Sequence, residues 1–329
     1  MPADKHDGIL QIRDLSLAFR TPAGRLKVLR DISLDLGRGR ILGIVGESGC
    51  GKSTLISTVM RLLPANAEVT HGEILFNGND LLRKSEAEMR ALRGGRISMV
   101  FQDPMTSLNP VLSIGRQMID IQHRERRSLR EKRERAADML ARVGIPDATS
   151  RLSAYPHQFS GGMRQRIAIA MALMAEPDLL IADEPTTALD ATLEVQIVGL
   201  LERLQEDFGC SIIFVTHHLG VVAELCQDVV VMYAGEVAES GSVRDVFHRP
   251  AHPYTEMLLR SDPGRIHERT RQLPTIPGEI PSLIDLPEGC VFRPRCPKAF
   301  DRCFVAPPAY EAGHDHHATC HLLARETVA

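Results

Sequence analysis

Two short segments combine glycines, a lysine, hydroxyls and carboxylates at spacings that suit phosphate chemistry. Residues 46–53, Gly-Glu-Ser-Gly-Cys-Gly-Lys-Ser, follow the apolar run Ile41–Val45 and precede a helical pattern over residues 52–63. Glycines at these spacings let successive backbone N–H groups point inward as an anion nest, and the helix adds its positive N-terminal end. We expect Lys52 to reach β- and γ-phosphates and Ser53 to ligate Mg²⁺. The segment therefore predicts a phosphate loop.

The second segment is an apolar run over residues 179–182 that ends in Asp183 and Glu184. Asp183 can hold the Mg²⁺ shell, and Glu184 can polarise an attacking water. Such a pair alone also caps helices or faces solvent, but after a phosphate loop it indicates nucleotide hydrolysis or phosphoryl transfer. The residues expected to contact ATP through the loop are Gly46, Glu47, Ser48, Gly49, Cys50, Gly51, Lys52, Ser53 and Thr54.

Cys50 lies inside the predicted loop, at a helix N-terminus and beside Lys52. Such surroundings predict a lowered thiol pKa, and oxidation or alkylation of Cys50 would then block ATP binding. The alternative is that Cys50 stands in for a small serine.

Strand-like and helical patterns alternate along the chain, which predicts an α/β domain with a largely parallel sheet. The strand patterns cover residues 9–19, 28–36, 41–45, 97–101, 179–182, 212–215 and 229–232. The helical patterns cover residues 52–63, 129–143, 161–175 and 193–208.

Composition bears on partners and location. The formal net charge is −3 and aromatic residues make up 4% of the chain, so we expect no nucleic-acid partner. The arginine-rich run over residues 123–135 also contains glutamates, which predicts an ion-paired helix face. We find neither an apolar run of bilayer length nor a signal-peptide core, so we expect a cytosolic location and a peripheral role at any membrane.

Residues 159–166, Phe-Ser-Gly-Gly-Met-Arg-Gln-Arg, separate an ATPase from a P-loop kinase. They resemble the signature sequence of the ATP-binding cassette (ABC) family, normally Leu-Ser-Gly-Gly-Gln. Ser160 would cap a long helix, and the two glycines after it would allow close approach to phosphate. The resemblance implies ATP sandwiched between two cassettes, each presenting its signature to the other's nucleotide. The signature residues are Ser160, Gly161, Gly162 and Met163.

Further motifs resemble those of the family in their order. Gln102 looks like the Q-loop glutamine, which implies a role beside Ser53 and Asp183 at Mg²⁺. Residues 188–190 resemble the D-loop at the dimer interface, which gives Asp190 its expected place. His217 looks like the switch histidine that contacts the γ-phosphate, and with Glu184 and Gln102 it completes the expected catalytic set.

Phe19 looks like the aromatic residue that stacks on adenine in this family. In a regular strand it shares a face with Leu15 and Leu17, so a core role is the alternative. The signature departs from the usual pattern at Phe159 and Met163, and neither change removes a phosphate-contacting group.

Several local stretches resemble the oligopeptide/dipeptide importer ATPases: residues 102–110, 155–166, 249–255, 277–281 and 289–296. The resemblance implies a motor for peptide uptake at the cytoplasmic face of the inner or plasma membrane. Its implied partners are a second ABC ATPase subunit, favoured to be a paralogue, two membrane permease subunits and an extracytoplasmic solute-binding protein. Nickel chelates or oligosaccharides are alternative solutes, and a soluble cassette ATPase acting on DNA or ribosomes is an alternative class.

The family implies a P-loop NTPase cassette over residues 8–255, with a RecA-like core, an antiparallel β subdomain and a helical signature subdomain. Prolines and cysteines multiply from residue 256, so we expect a small C-terminal extension over residues 256–329.

Four cysteines in that extension suggest metal binding: Cys290, Cys296, Cys303 and Cys320. Members of this branch can carry a [4Fe–4S] cluster at matching cysteines. Zinc and a metal-free state stay open, since nearby histidines permit mixed ligand sets.

Overall fold

The computed structural model describes residues 8–103, 107–187, 189–262, 264 and 274–326. The chain divides into two compact units. The first unit combines residues up to Arg83 with those from Phe214 onward, and the second unit runs from Lys84 to Ile213. Residues 104–106 and Ala188, which belong to two of the predicted motifs, lie outside the described residues. Within the described ranges, no helix is both long enough and apolar enough to cross a membrane.

The strands are numbered in chain order. They are β1 (Gly8–Thr21), β2 (Gly24–Gly37), β3 (Ile41–Val45), β4 (Ala67–Phe76), β5 (Asn79–Asp80), β6 (Ile97–Val100), β7 (Leu179–Asp183), β8 (Ser211–Val215), β9 (Asp228–Tyr233), β10 (Glu236–Ser242), β11 (Tyr310–Gly313) and β12 (His316–Ala318).

The α-helices are numbered in the same way. They are α1 (Lys52–Val59), α2 (Glu86–Leu92), α3 (Ile114–Ile121), α4 (Leu129–Arg142), α5 (Ala148–Arg151), α6 (Gly161–Leu173), α7 (Ala191–Phe208), α8 (Leu219–Leu225), α9 (Val243–His248), α10 (Pro253–Arg260) and α11 (Leu323–Glu326).

The first unit contains an antiparallel sheet in the order β2-β1-β4-β5. A second set of strands in this unit runs β11-β12-β10-β9-β3, in which β3 pairs with β9 in parallel. Every residue of β3 is buried, as its continuously apolar sequence predicts for a parallel strand covered on both faces. The backbone N–H of Thr216, just after β8, donates to the carbonyl of Ile44 at 3.2 Å.

The second unit holds the parallel pair β6 and β7 with helices α2 to α7. Strand β7 is buried along its whole length, and the N–H of Ser211 at the start of β8 donates to the carbonyl of Asp178 at 2.9 Å. Helix α7 buries one apolar stripe and ends at Phe208. It is capped by Gly209, whose φ of 63° is the left-handed conformation that glycine adopts readily. The second unit therefore contains the end of β7 and the starts of α6 and α7.

The predicted α/β class is confirmed, and so is the antiparallel β subdomain. The helix predicted over residues 52–63 is shorter, because it ends at Val59 and Arg61 takes a left-handed φ of 49°. The ion pairs expected over residues 123–135 are present, as in Arg130 with Glu134 and Arg135 with Glu125. The single helix expected there is wrong in extent, because the α-helix begins only at Leu129.

The C-terminal segment adds its strands to the first unit. Strand β12 pairs antiparallel with β10, with Glu239 opposite Ala318, and β11 pairs with β12. The imidazole of His316 lies 2.7 Å from the buried carboxylate of Glu239, which ties β12 to β10 by side chains as well. The proposed boundary at residue 256 stays a prediction.

Candidate active site

The phosphate loop joins β3 to α1, and its backbone requires glycine at two positions. Gly46 has a φ of 150°, and a Cβ there would lie 2.1 Å from the carbonyl oxygen of Met232. Gly51 has a φ of 106° and stands at the N-cap of α1, where a Cβ would lie 3.1 Å from the carbonyl oxygen of Val28. The loop therefore packs too closely against its neighbours to accept side chains at these two residues.

Lys52 begins α1 and turns its buried side chain back into the loop. Its Nζ donates to the carbonyl of Gly46 at 2.7 Å and to that of Glu47 at 3.2 Å. The ammonium therefore lies within the curl of the loop, beside the positive end of the helix. Ser53 is exposed on the next residue and Thr54 is half-buried, while Ser48 and Gly49 are exposed at the loop's outer edge.

Cys50 differs from its prediction. The side chain is completely buried, and burial raises the pKa of its thiol even though Lys52 lies close by. The Lys52 Nζ is 3.8 Å from the Cys50 Sγ, yet the loss of hydration outweighs this contact. The prediction of a lowered thiol pKa is therefore wrong, and the packing favours the alternative of a small residue filling the loop interior. Cys210 and Cys226 are also buried.

The acidic pair lies at the end of β7 in the second unit. Asp183 is buried at the strand end, and Glu184 takes a left-handed φ of 45°. The Nε2 of Gln102 donates to Oε2 of Glu184 at 3.1 Å, and the Thr187 hydroxyl donates to the same oxygen at 2.9 Å. The structure thus brings together Gln102 and Glu184, which follow the parallel neighbours β6 and β7. The structure also shows a contact of Glu184 with Thr187, which the sequence analysis did not predict. The spacing of three residues between them is a weak indication of such a contact.

The signature residues open helix α6. The Ser160 hydroxyl accepts from the N–H of Met163 at 3.4 Å, so the expected cap is present. Gly161 is exposed with open space at its Cβ position, whereas a Cβ on Gly162 would come within 3.1 Å of the Leu193 side chain. Gly161 therefore leaves the helix start accessible, and Gly162 serves the packing of α6 against α7.

The surroundings of Phe159 account for one departure from the usual signature pattern. Its side chain is buried, with 3% exposed, so the position accepts a large apolar residue in the core. The guanidinium of Arg151 lies 5.8 Å from the centre of its ring.

Asp190 and His217 lie in different surroundings. Asp190 is the N-cap of α7, and its carboxylate accepts from the N–H of Leu193 at 3.0 Å. His217 follows β8 in the first unit, is exposed, and meets the ring of His218 edge-on with centroids 4.4 Å apart. Asp190 thus has a structural task besides any role at an interface.

Phe19 lies near the end of β1, where the strand is irregular. The register with β2 shifts between Leu17 and Ala18, and both of these residues are buried. Phe19 is half-buried and does not continue the fully buried face of Leu15 and Leu17. Its role in stacking on adenine stays a prediction.

The four cysteines of the C-terminal segment surround one cavity. Its lining includes all four cysteines together with His252 and His321, and its volume is about 10 Å³. Within the part of the chain that the structure describes, no group of three or more His, Cys, Asp or Glu side chains is arranged to hold a metal ion. The donor set suits soft metals, but the enclosed space is that of about one water and is too small for a cluster in this arrangement. The four cysteines are Cys290, Cys296, Cys303 and Cys320.

Comparison with protein families finds two matches along the chain. Residues 29–187 match the ABC transporter family, and residues 238–303 match the family described as the oligopeptide/dipeptide transporter C-terminal region. The first match covers the phosphate loop, the signature and the acidic pair. The second covers α10 and three of the four clustered cysteines.

Curated relatives match over nearly the whole chain. The dipeptide transport ATP-binding protein DppD of Bacillus subtilis is 48% identical over 94% of this chain and 92% of its own length. The oligopeptide transport ATP-binding protein OppD of Escherichia coli is 48% identical over 93% of this chain and 90% of its own.

Solved structures share the fold at lower identity. CbiO1 from Clostridium perfringens, part of the transporter complex CbiONQ, is 32% identical, with a TM-score of 0.65 over 74% of this chain and 92% of its own. The cassette MJ0796, in a dimeric structure bound to ADP and phosphate, is 27% identical, with a TM-score of 0.64 over 71% of this chain and 99% of its own.

Proposed function

Because this chain belongs to the ABC transporter ATP-binding proteins, we propose that it hydrolyses ATP to drive the import of di- or oligopeptides. The observation that carries the proposal is the 48% identity to peptide-transport ATP-binding proteins over more than nine tenths of the chain. Cassette motifs alone do not indicate the solute, because they occur in motors that serve many solutes. The match of the C-terminal residues to the oligopeptide/dipeptide transporter family is what favours peptides.

The chemistry of the loop and the acidic pair supports the assigned roles. Lys52 neutralises the β- and γ-phosphates, Ser53 and Asp183 hold Mg²⁺ together with Gln102, and Glu184 polarises the attacking water. Hydrogen bonds from Gln102 and Thr187 orient the Glu184 carboxylate, which is the group that we assign to the water. His217 contacts the γ-phosphate, and Phe19 stacks on adenine.

The exposed start of α6 supports a dimer of cassettes. The helix N-terminus and the open space at Gly161 suit a phosphate supplied by another subunit, so Ser160, Gly161, Gly162 and Met163 would contact the partner's ATP. Asp190 would lie at the same interface. We expect the second cassette to be a paralogue of this chain.

A peptide importer needs membrane subunits as well as motors. We propose that two permease subunits and an extracytoplasmic solute-binding protein complete the assembly, and that this chain acts at the cytoplasmic face of the inner or plasma membrane. ATP-driven closure of two cassettes would switch the permeases between inward and outward states, and hydrolysis would reopen them.

Reconstitution of the whole complex in proteoliposomes tests the proposed solute. We expect di- or oligopeptides, delivered with the binding protein, to stimulate ATP hydrolysis and to accumulate inside the vesicles only when ATP is present. Nickel chelates and oligosaccharides, offered in the same way, serve as competing solutes. If a nickel chelate or an oligosaccharide stimulates ATP hydrolysis and no peptide does, the peptide assignment is refuted. If the rate of ATP hydrolysis is the same with and without the permease subunits, the chain is better explained as an ATPase outside transport.

We propose that Cys290, Cys296, Cys303 and Cys320 hold a [4Fe–4S] cluster, with zinc as the alternative. Support comes from the four thiols that line one cavity, although they must move apart to admit a cluster. Such a cluster would stabilise a segment that is rich in proline and poor in core.

Metal analysis of anaerobically purified protein tests the cluster. We expect about four iron and four sulfide per chain, lost in Cys303→Ser and kept in the control Cys210→Ser. About one zinc per chain would favour the alternative, and metal-free protein would refute both.

A further inference from the structure

The buried Arg295 connects the C-terminal segment to the phosphate loop. Its Nη1 lies 2.7 Å from Oε2 of Glu47 and its Nη2 lies 3.1 Å from Oε1, so the guanidinium donates two hydrogen bonds to one carboxylate. Only 5% of the Arg295 side chain and 27% of the Glu47 side chain are exposed. A bidentate pair of this kind fixes orientation as well as distance. Arg295 therefore holds the single carboxylate that the loop carries.

The other donors of Arg295 are also bonded. Its Nε donates to the carbonyl of Pro277 at 2.8 Å, and its Nη2 donates to the carbonyl of Ile276 at 3.2 Å. Its Nη1 donates to the hydroxyl of Tyr233 at 3.3 Å. Because these contacts surround the guanidinium, Arg295 has little freedom to turn away from Glu47.

Aromatic packing holds the same segment in place. Phe292, three residues before Arg295, packs against Tyr233 and Tyr254 with ring centroids 5.1 and 5.4 Å apart. The hydroxyl of Tyr254 accepts from the backbone N–H of Glu47 at 2.9 Å. Glu47 is thus held through its backbone by the core and through its carboxylate by the C-terminal segment.

Glu47 is in turn bonded to the lysine that we assign to the phosphates. Its carbonyl accepts from Nζ of Lys52 at 3.2 Å. A loop that must present several N–H groups to a phosphate binds more tightly when its conformation is fixed beforehand, because less ordering remains for the binding step. Holding Glu47 therefore bears on ATP affinity.

We propose that Arg295 is a positioning residue of the nucleotide site: by fixing Glu47, it holds the phosphate loop in the conformation that receives the ATP phosphates. The inference rests on the ATP-binding role proposed above for this loop. If the Arg295–Glu47 ion pair only stabilised the fold, its removal would lower the melting temperature and leave the affinity for ATP unchanged. Measuring both affinity and melting temperature therefore separates the two roles.

Binding of a fluorescent ATP analogue to the full-length chain tests this role, together with KM and kcat of the assembled complex. We expect Arg295→Met to weaken binding about tenfold, Arg295→Lys about threefold because it keeps the charge but loses the fork, and Glu47→Gln about tenfold. KM should change more than kcat. The double variant Arg295→Met/Glu47→Gln should bind the analogue no more weakly than the single variant with the lower affinity. Both substitutions act on the same ion pair between Arg295 and Glu47, so their effects should not add.

Lys298→Met is the matched control. It also removes a cation from the C-terminal segment, but Nζ of Lys298 pairs with Glu256 at 2.6 Å and not with a carboxylate of the loop. Its affinity for the analogue should stay within about twofold of wild type. An equal loss in Lys298→Met would reduce the effect to general destabilisation and overturn the proposal.

Wild-type affinity in folded Arg295→Met, or additive losses in the double variant, would overturn the positioning role. If Arg295→Met fails to fold, Glu47→Gln decides alone, because it keeps the shape of the side chain and removes only the charge. Lys52→Ala separates this inference from the function beneath it. If Lys52→Ala binds normally, the nucleotide site itself is misassigned; if it loses binding while Arg295→Met and Glu47→Gln keep theirs, only the positioning role fails.

Discussion

Glu184 shows how a single side chain is prepared for chemistry. Its left-handed φ of 45° is uncommon for a residue with a Cβ, and such strain is held in place only by the surrounding structure. Here the hydrogen bonds from Gln102 and Thr187 to Oε2 give that support. The carboxylate is therefore fixed by side chains as well as by the end of β7, which suits a group that must orient a water.

Cys50 gives a pH-dependent prediction at the same scale. Only the thiolate reacts with iodoacetamide, and burial raises the pKa of this thiol above its ordinary value. The thiolate fraction therefore stays small near neutral pH and keeps rising through alkaline pH. We expect alkylation of Cys50, followed by peptide mass spectrometry, to be at least about tenfold slower than that of N-acetylcysteine at neutral pH.

The pH dependence of the Cys50 alkylation rate can contradict this prediction. A rate that levelled off below pH ~8 would indicate a lowered pKa and restore the idea of a reactive thiol in the loop. Cys50→Ser should keep ATP affinity within about threefold of wild type, because the position needs only a small side chain.

Sequence reasoning missed Thr187, which lies three residues from its partner Glu184, and it missed the contact between Arg295 and Glu47, which are far apart along the chain. Lys52, Asp183 and Glu184 were predictable because local spacing after apolar strands carries their signal. Arg295 and Glu47 are separated by 248 residues, and neither residue type points to the other. Such pairs are set by tertiary packing, which no local pattern encodes.

At the scale of elements, apolar runs predicted the buried parallel strands well. Strand β3 is found as predicted, and β7 differs by one residue. Strand β10 was missed because its sequence, Glu-Val-Ala-Glu-Ser-Gly-Ser, carries few apolar residues. Its pairing with β9 and β12 consists of backbone hydrogen bonds, which leave little trace in side-chain patterns.

Helix α7 gives a prediction about capping. The Asp190 carboxylate accepts from the N–H of Leu193, so Asp190→Ala should cost about 1 kcal/mol of stability. We expect the melting temperature of the chain to fall by about 2 °C, measured by differential scanning fluorimetry. Asp190→Asn is the matched control, because asparagine caps helices equally well, and it should melt as wild type does. A comparable fall in Asp190→Asn, or none in Asp190→Ala, would contradict the capping role.

For the whole molecule, one family match covers residues 29–187 and a second covers residues 238–303, and the structure shows what the C-terminal segment contacts. Strand β12 of this segment pairs with β10 of the first unit, and Arg295 forms an ion pair with Glu47 of the phosphate loop. The resemblance of separate sequence stretches predicted the family and the C-terminal region. It did not predict this contact, because a motif names the residues of a segment and not what the segment touches.

The central claim is that this chain is an ATP-hydrolysing motor in which Glu184 activates water. Steady-state ATP turnover of the complex assembled with Glu184→Gln tests it most directly. Removing the base should lower turnover at least about 100-fold while the affinity for ATP stays within about threefold. The matched control is Glu206→Gln, which changes an exposed carboxylate on α7 and should turn over as wild type does. Turnover in Glu184→Gln above about a third of the wild-type rate would contradict the account.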